Sequence, residues 1–246
     1  MLLLLILLFS ILGNVGTIAL AGLFLLFPQK RRLSALPLFV SYATGALLAA
    51  AFLGLIPEAQ ERLPSSTVMA TILLGIILFF VLEKLVLWRH CHTQHCDVHG
   101  QGGLLILIGD GFHNFVDGVI IASAFLTSIP LGISTAVAVI VHEIPQEVSD
   151  FAILLQSGYS RAQAILFNLI SGLAAVAGAL LAYWFLMELE WALPYVMSLA
   201  AASFVYIATA DLVPNLHRYT DLKQSVGQLV LMLGGIATIA LIRATH

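Results

Sequence analysis

Apolar residues fall along this chain in long unbroken runs, not in the short alternating or three-to-four-residue stripes of a soluble fold. Eight runs stand out, at 2–27, 37–57, 67–88, 104–126, 131–155, 162–187, 192–213 and 225–242. A helix of about 20 apolar residues crosses a hydrocarbon core of about 30 Å, so each run predicts a transmembrane helix. Together they nearly exhaust the 246 residues, leaving one transmembrane domain over 1–246 and no room for a soluble one. The Leu-rich start could be read as a signal peptide. No positive segment precedes it and the run is long enough to span, so it reads as the first helix.

Composition agrees. The chain is 61% hydrophobic and 9% charged, with a mean hydropathy of +1.04, whereas soluble domains carry about 25% charged residues. The apolar excess must face lipid. Lys30, Arg31, Arg32, Lys84, Arg89, Arg161, Arg218 and Lys223 lie at one set of alternate loops or helix ends, against only Arg62 and Arg243 at the other. That asymmetry places the odd-numbered loops in the cytoplasm and both termini outside. Compact loops suggest a plasma or inner cell membrane of a prokaryotic type. A net charge of −3 with no basic cluster gives no support for a nucleic-acid partner. Cys91 and Cys96 share one cytoplasmic loop, which argues against a disulfide.

A weak internal repeat is visible. The second run ends Leu55-Ile56-Pro57-Glu58-Ala59 and the seventh ends Leu212-Val213-Pro214-Asn215-Leu216. These helices cross the membrane in opposite directions, so spans 1–3 and 6–8 are candidates for inverted repeats around a central pair. The expected architecture is an all-α, eight-helix, 3+2+3 bundle.

The chemistry concentrates in the central pair. The fourth span reads Gly109-Asp110-Gly111-Phe112-His113-Asn114-Phe115-Val116-Asp117-Gly118, and the fifth reads His142-Glu143-Ile144-Pro145-Gln146-Glu147-Val148-Ser149-Asp150. At about 100° per residue, Asp110, His113, Asn114 and Asp117 share an arc of roughly 100°, and the polar residues of the fifth span share roughly 160°. The stripes should face each other or a wet pathway. His113 lies 14 residues before Thr127 and His142 lies 12 after Pro130. At about 1.5 Å per residue, both imidazoles stand roughly 20 Å from the same connection, and so at one depth.

No Lys or Arg occurs from His90 to Ser160, yet these two spans hold Asp110, Asp117, Glu143, Glu147 and Asp150. Each intramembrane acid costs about 2.5–3.5 kcal/mol at a helix centre on insertion scales. A bound cation is the economical compensation. His113 with Asp117, and His142 with Gln146, are spaced i, i+4 and can converge on one ion. Imidazole with carboxylate suits Zn²⁺ and its neighbours Fe²⁺ or Mn²⁺. Pro145 is expected to break the fifth helix at the site and to free the carbonyl of Val141. Asp110 and Asp150 read either as groups that hold the imidazoles or as lining of an ion pathway. Asp211 reads as pathway lining or as an acid at the cytoplasmic mouth beside His217. Glu58 could attract cations at the outer end, or be a solvated interfacial charge. The loop holding His90, Cys91, His92, His95, Cys96 and His99 reads as a metal-binding or sensing loop, or as a polar linker.

HNFVDG and HEIPQEVSDFAILL resemble the corresponding helices of the ZIP (Zrt/Irt-like) family of metal transporters. The resemblance is specific in these two helices and looser over the rest. It implies an inverted-repeat 3+2+3 bundle that carries zinc, iron, manganese or cadmium into the cytoplasm, with no catalytic cofactor. By motif it assigns His113, Asp117, His142 and Gln146 to a primary metal site and Asn114 and Glu143 to a neighbouring one. The chain departs from the pattern in three places. Gln146 stands where HExPHE has its second His. Ala175 stands where some prokaryotic members have a Glu. Leu53-Gly54 precedes the Leu55-Ile56-Pro57-Glu58 segment where a His is common.

The reading is therefore a carrier, not an enzyme, whose partners are its metal substrate and the bilayer; a homodimer is compatible with it. Its rivals are an intramembrane zinc-dependent hydrolase and a metal-sensing membrane protein without net flux. His142-Glu143 opens like HExxH, but the fifth position is Gln146 and Pro145 intervenes.

Overall fold

A computed structural model describes residues 1–88, 102–218 and 221–244. Among these every regular element is helical. The described residues form eight rods: α1 (Leu2–Phe24), α2 (Gln29–Gln60), α3 (Ser65–Trp88), α4 (Gly102–Thr127), α5 (Ile129–Gln156), α6 (Arg161–Glu188), α7 (Glu190–Leu216) and α8 (Leu222–Ala244). Seven are long and apolar enough to cross a membrane; the eighth, α4, has 26 residues and bears one of the two polar stripes. The fold is that of an all-α membrane protein. Large apolar side chains cover the outside, with Leu73, Leu74, Trp184 and Leu229 all more than half exposed. In water such a surface would aggregate; in lipid it costs nothing.

The rods end where the sequence supplies stops and caps. Pro28 starts α2, and α5 begins with Ser128 as N-cap and Pro130 in its first turn. Gly158, at φ 89°, takes the left-handed conformation just beyond α5. Ser160 and Gln163 then form a capping box that opens α6.

Three rods contain a π-helical turn, at Leu12–Gly16, Ala50–Leu55 and Ile207–Leu212. The second and third each span six residues and end two residues before a proline, Pro57 or Pro214. A proline removes its N–H and crowds the carbonyl four residues back, and a widened turn absorbs both effects. The matched Leu-Ile-Pro-Glu and Leu-Val-Pro-Asn segments thus share a backbone irregularity as well as letters.

Two helix pairs bring backbone against backbone at glycine. In α4 and α6, a Cβ on Gly118 would collide with the carbonyl of Ala175, and one on Gly178 with that of Phe115. In α2 and α8, Gly45 abuts the carbonyl of Met232 and Gly235 that of Tyr42. Small residues let backbones touch where lipid gives no hydrophobic drive between helices. Tyr42 also donates a 2.7 Å hydrogen bond to Thr238 across the second pair.

The α5 rod runs unbroken through Pro145, contrary to the expected break. Its neighbours hold it on course: Pro145 is buried in the same stretch as His142, Glu143 and Glu147. Proline is tolerated in packed membrane helices for this reason.

Candidate metal centre

α4 and α5 lie antiparallel, joined through Ser128, and their polar stripes meet inside the bundle. His113 Nε2 stands 3.2 Å from His142 Nε2 and 3.2 Å from Glu143 Oε1. His142 Nε2 stands 3.4 Å from Asp117 Oδ2 and 3.4 Å from Glu143 Oε1, and His113 Nε2 is 3.7 Å from Asp117 Oδ2. One ligand atom from each of the four residues lies within 4.8 Å of all the others.

These separations fit one ion. With bonds of about 2.1 Å, the edge of a tetrahedron of ligands around zinc is about 3.4 Å. The five measured edges, 3.2 to 3.7 Å, bracket it. Hydrogen bonding alone does not account for the cluster. His142 Nδ1 is 3.1 Å from the carbonyl of Ala138, which can only accept, so Nδ1 carries the proton and neutral His142 presents a bare Nε2. Both oxygens of Asp117 and both of Glu143 are buried without a hydrogen-bond donor among the described residues. A partner carbonyl that fixes the tautomer of a ligating imidazole is a usual feature of metal sites.

The His113 side chain is 23% exposed and that of His142 only 1%, so the cluster is reached from the His113 side. There a cavity of about 530 Å³ begins, lined by Asp110, His113, His142, Gln146, Asp150 and Asp211 and ending at Arg218. Its walls come from the start of α2, the start of α4, the end of α5 and the end of α7, which all lie at one end of the bundle. The opposite halves of the same helices are packed shut: Leu55, Ile121, Phe125, Leu131 and Met197 are at most 1% exposed. Among the described residues the cavity therefore opens toward the Arg218 end and is closed by this packed half.

The other sequence-derived candidates fall into distinct places. Asp110, 5% exposed, accepts from Asn114 Nδ2 at 3.0 Å, from Gln146 Nε2 at 3.4 Å and from the hydroxyl of Ser171. The Gln146 amide thus turns toward Asp110. Asp110, Glu143 and Glu147 form a second group of close carboxylates. Asp150 and Asp211 both line the cavity, Asp211 as an exposed wall residue. Glu58 is held by Arg243 at 3.1 Å. His90, Cys91, His92, His95, Cys96 and His99 lie outside the described residues.

Ser171 escaped the sequence reading. It stands on α6, 61 residues from Asp110, and no local spacing links the two. Phe204, fully buried on α7, packs its ring 6.3 Å from that of His142 and was equally invisible.

A polytopic helical membrane protein with an imidazole–carboxylate cluster at the blind end of a one-sided cavity is the class these features define. Residues 89–243 match the family described as ZIP zinc transporter. The chain belongs to that family. It is 31% identical over 217 residues to the zinc transporter ZIP13 of Pongo abelii, covering 82% of this chain and 65% of that protein. It is 29% identical over 312 aligned positions to the zinc transporter ZIP13 homolog of Drosophila melanogaster, covering 94% and 87%. It is 36% identical over 146 residues to the zinc transporter zipt-7.2 of Caenorhabditis elegans, covering 56% and 31%. The chain thus spans about a third of that relative's length, and a fifth of the Drosophila zinc transporter foi. The members it matches are named as transporters, not enzymes.

Proposed function

We propose that the chain carries a divalent cation, zinc first with iron, manganese and cadmium as competitors, across the membrane into the cytoplasm. The observation that carries this reading is the four-residue cluster of His113, Asp117, His142 and Glu143, whose ligand atoms sit at the edge lengths of a single tetrahedral ion. Two imidazoles and two carboxylates suit zinc, and the lack of thiolate in the cluster favours release over sequestration.

The charge asymmetry of the loops supports a cytoplasmic position for Arg218, and with it for the cavity mouth. In this arrangement the ion faces inward. It leaves His113 for Gln146, Asp150 and Asp211 along the cavity wall, each an oxygen-bearing group that can share it with water. Loading from outside requires the apolar plug of Phe125, Leu131 and Met197 to part. The glycine-locked α4/α6 and α2/α8 pairs support a movement of two stiff bodies, with His113 and Asp117 on the first and the opposite cavity wall partly on the second.

The hydrolase alternative gains no support. Glu143, its candidate general base, is drawn into the ligand cluster, and the position of the second metal-binding His is Gln146.

The test is zinc uptake into proteoliposomes loaded with a zinc-sensitive dye, with His113→Ala and Asp117→Ala as comparison. Saturable uptake lost in both variants, with thermal unfolding unchanged, supports the carrier. Binding without filling of the vesicles supports a sensor. Silence of the wild type toward zinc, iron and manganese contradicts transport.

A further inference from the structure

The starts of α2 and α8 enclose a second cavity of about 520 Å³, lined by Lys30, Ser34 and Leu38 on one helix and by Lys223, Gln224 and Gln228 on the other. That volume falls within the range of about 300–1,000 Å³ typical of small-ligand pockets. The cavity is separate from the metal cluster: its lining has only Pro37 in common with that of the first cavity.

The groups around it are donors and positive charges. α2 and α8 run parallel, since a Cβ on Gly227 would lie 3.8 Å from Leu38 and one on Gly235 would lie 2.8 Å from the backbone nitrogen of Ala46. Both helix starts, with the positive ends of their dipoles, therefore lie together at this cavity. Pro28 gives α2 no side-chain cap. Neither Lys30 nor Lys223 is ion-paired among the described residues. The single acid of the lining, Asp221, caps α8 by accepting from the N–H of Gln224 at 3.2 Å. Helix starts and surface lysines alone do not make a site. Gln228 supplies the independent observation. It is 9% exposed and lines the cavity, and its Nε2 has no acceptor among the described residues. A buried donor without a partner is costly, and an acceptor in the cavity would satisfy it. The missing partner is thus an anion.

The position selects among anions. This end of the bundle is the one for which the loop charges support a cytoplasmic place, at the level of lipid headgroups. Below the charged rim the cavity turns apolar at Leu38, and Val226 and Val230, beside Lys223 and Gly227, are exposed on α8. Basic pockets between transmembrane helices on this side of a membrane suit anionic headgroups, whose acyl chains then lie against the helices. We propose that the cleft between the starts of α2 and α8 binds the phosphate of an anionic phospholipid, with Lys30 and Lys223 holding its charge and Gln228 donating to it from within the bundle. The inference does not depend on which ion the metal cluster carries.

The experiment is native mass spectrometry of the purified, delipidated full-length chain. It is titrated with phosphatidylglycerol, with phosphatidylcholine of the same acyl chains, and with phosphatidylglycerol in the presence of millimolar inorganic phosphate. Thermal unfolding is checked for every variant. Wild type should bind phosphatidylglycerol about tenfold or more tightly than phosphatidylcholine, and inorganic phosphate should not displace it. A membrane-surface lysine is worth about fivefold, so Lys30→Gln/Lys223→Gln should weaken phosphatidylglycerol by about 25-fold. Both lysines are exposed, so this variant is expected to fold. Gln228→Met keeps the bulk and removes the donor, and should weaken binding by about tenfold. Asp221→Asn keeps a capping oxygen and removes the negative charge, so it should bind as wild type or more tightly. Lys84→Gln, at the end of α3 and outside the cavity, should bind as wild type. No preference over phosphatidylcholine, wild-type binding by the double lysine variant or by Gln228→Met, or weakening by Asp221→Asn would overturn the proposal. Equal loss in Lys84→Gln would mean diffuse surface charge, and displacement by inorganic phosphate would mean a soluble anion; either overturns the lipid assignment.

Discussion

His113 and His142 bring their Nε2 atoms to 3.2 Å although they are 29 residues apart on different helices. Two neutral imidazoles cannot both donate across such a gap, and the Ala138 carbonyl has already claimed the proton of His142 at Nδ1. A hydrogen bond from His113 Nε2 to His142 Nε2 would still leave the carboxylates of Asp117 and Glu143 without a donor, and an ion among the four groups supplies what they lack. Removing His142 should therefore cost more than its share of packing. We expect His142→Ala to weaken zinc binding by about 100-fold or more, since outer-shell changes alone cost about 10–100-fold. Isothermal titration in detergent, in a Cys91→Ser/Cys96→Ser background that removes the loop thiols, checks this.

The glycine contacts between α4 and α6 make a stability prediction. Gly118→Ala places a methyl against the Ala175 carbonyl, and backbone has no rotamer into which it can retreat. Overpacking of this kind costs about 1–3 kcal/mol. Gly22→Ala is the control, because nothing lies within 4 Å of its Cβ position. Thermal unfolding should fall for the first variant and hold or rise slightly for the second, as alanine is the better helix former.

Glu58 should matter little to metal capture. Its carboxylate pairs with Arg243 at 3.1 Å, and the two side chains are 18% and 24% exposed. A partly exposed pair contributes about 1 kcal/mol or less, so Glu58→Gln is expected to change the KM for external zinc by about fivefold or less. A much larger rise would show that Glu58 meets the incoming ion.

One-sided access is testable with thiol chemistry. In the Cys91→Ser/Cys96→Ser background, Asp211→Cys sits on the cavity wall and Ala124→Cys in the sealed half, where Ala124 is 0% exposed. A membrane-impermeant maleimide added from the cytoplasmic face should label the first and spare the second. Labelling of Asp211→Cys only from outside would reverse the orientation drawn from the loop charges.

Much of the centre was legible before any coordinates. The periodicity of Asp110, His113 and Asp117 and of His142, Glu143 and Glu147 put one polar stripe on each helix, and the distance of each imidazole from the connection put them level. What escaped was whatever depends on a side chain choosing between neighbours. Gln146 has helical spacing from His142 yet turns its amide to Asp110. Glu58 finds Arg243 185 residues away. Ser171 reaches Asp110 from α6, a helix whose approach is set by Gly118 and Gly178. Pro145 looked like a break because its missing N–H is a local fact, while the packing that keeps α5 continuous is not. The π-turns before Pro57 and Pro214 were similarly hidden, although the repeated tetrapeptide pointed to the place.

Zinc K-edge X-ray absorption on the purified Cys91→Ser/Cys96→Ser chain loaded with one equivalent of zinc tests the central claim most directly. The account predicts a nitrogen and oxygen first shell at about 2.0–2.2 Å, with outer-shell scattering from two imidazoles that falls to one in His113→Ala. An oxygen-only shell, or an imidazole count untouched by His113→Ala, would contradict it.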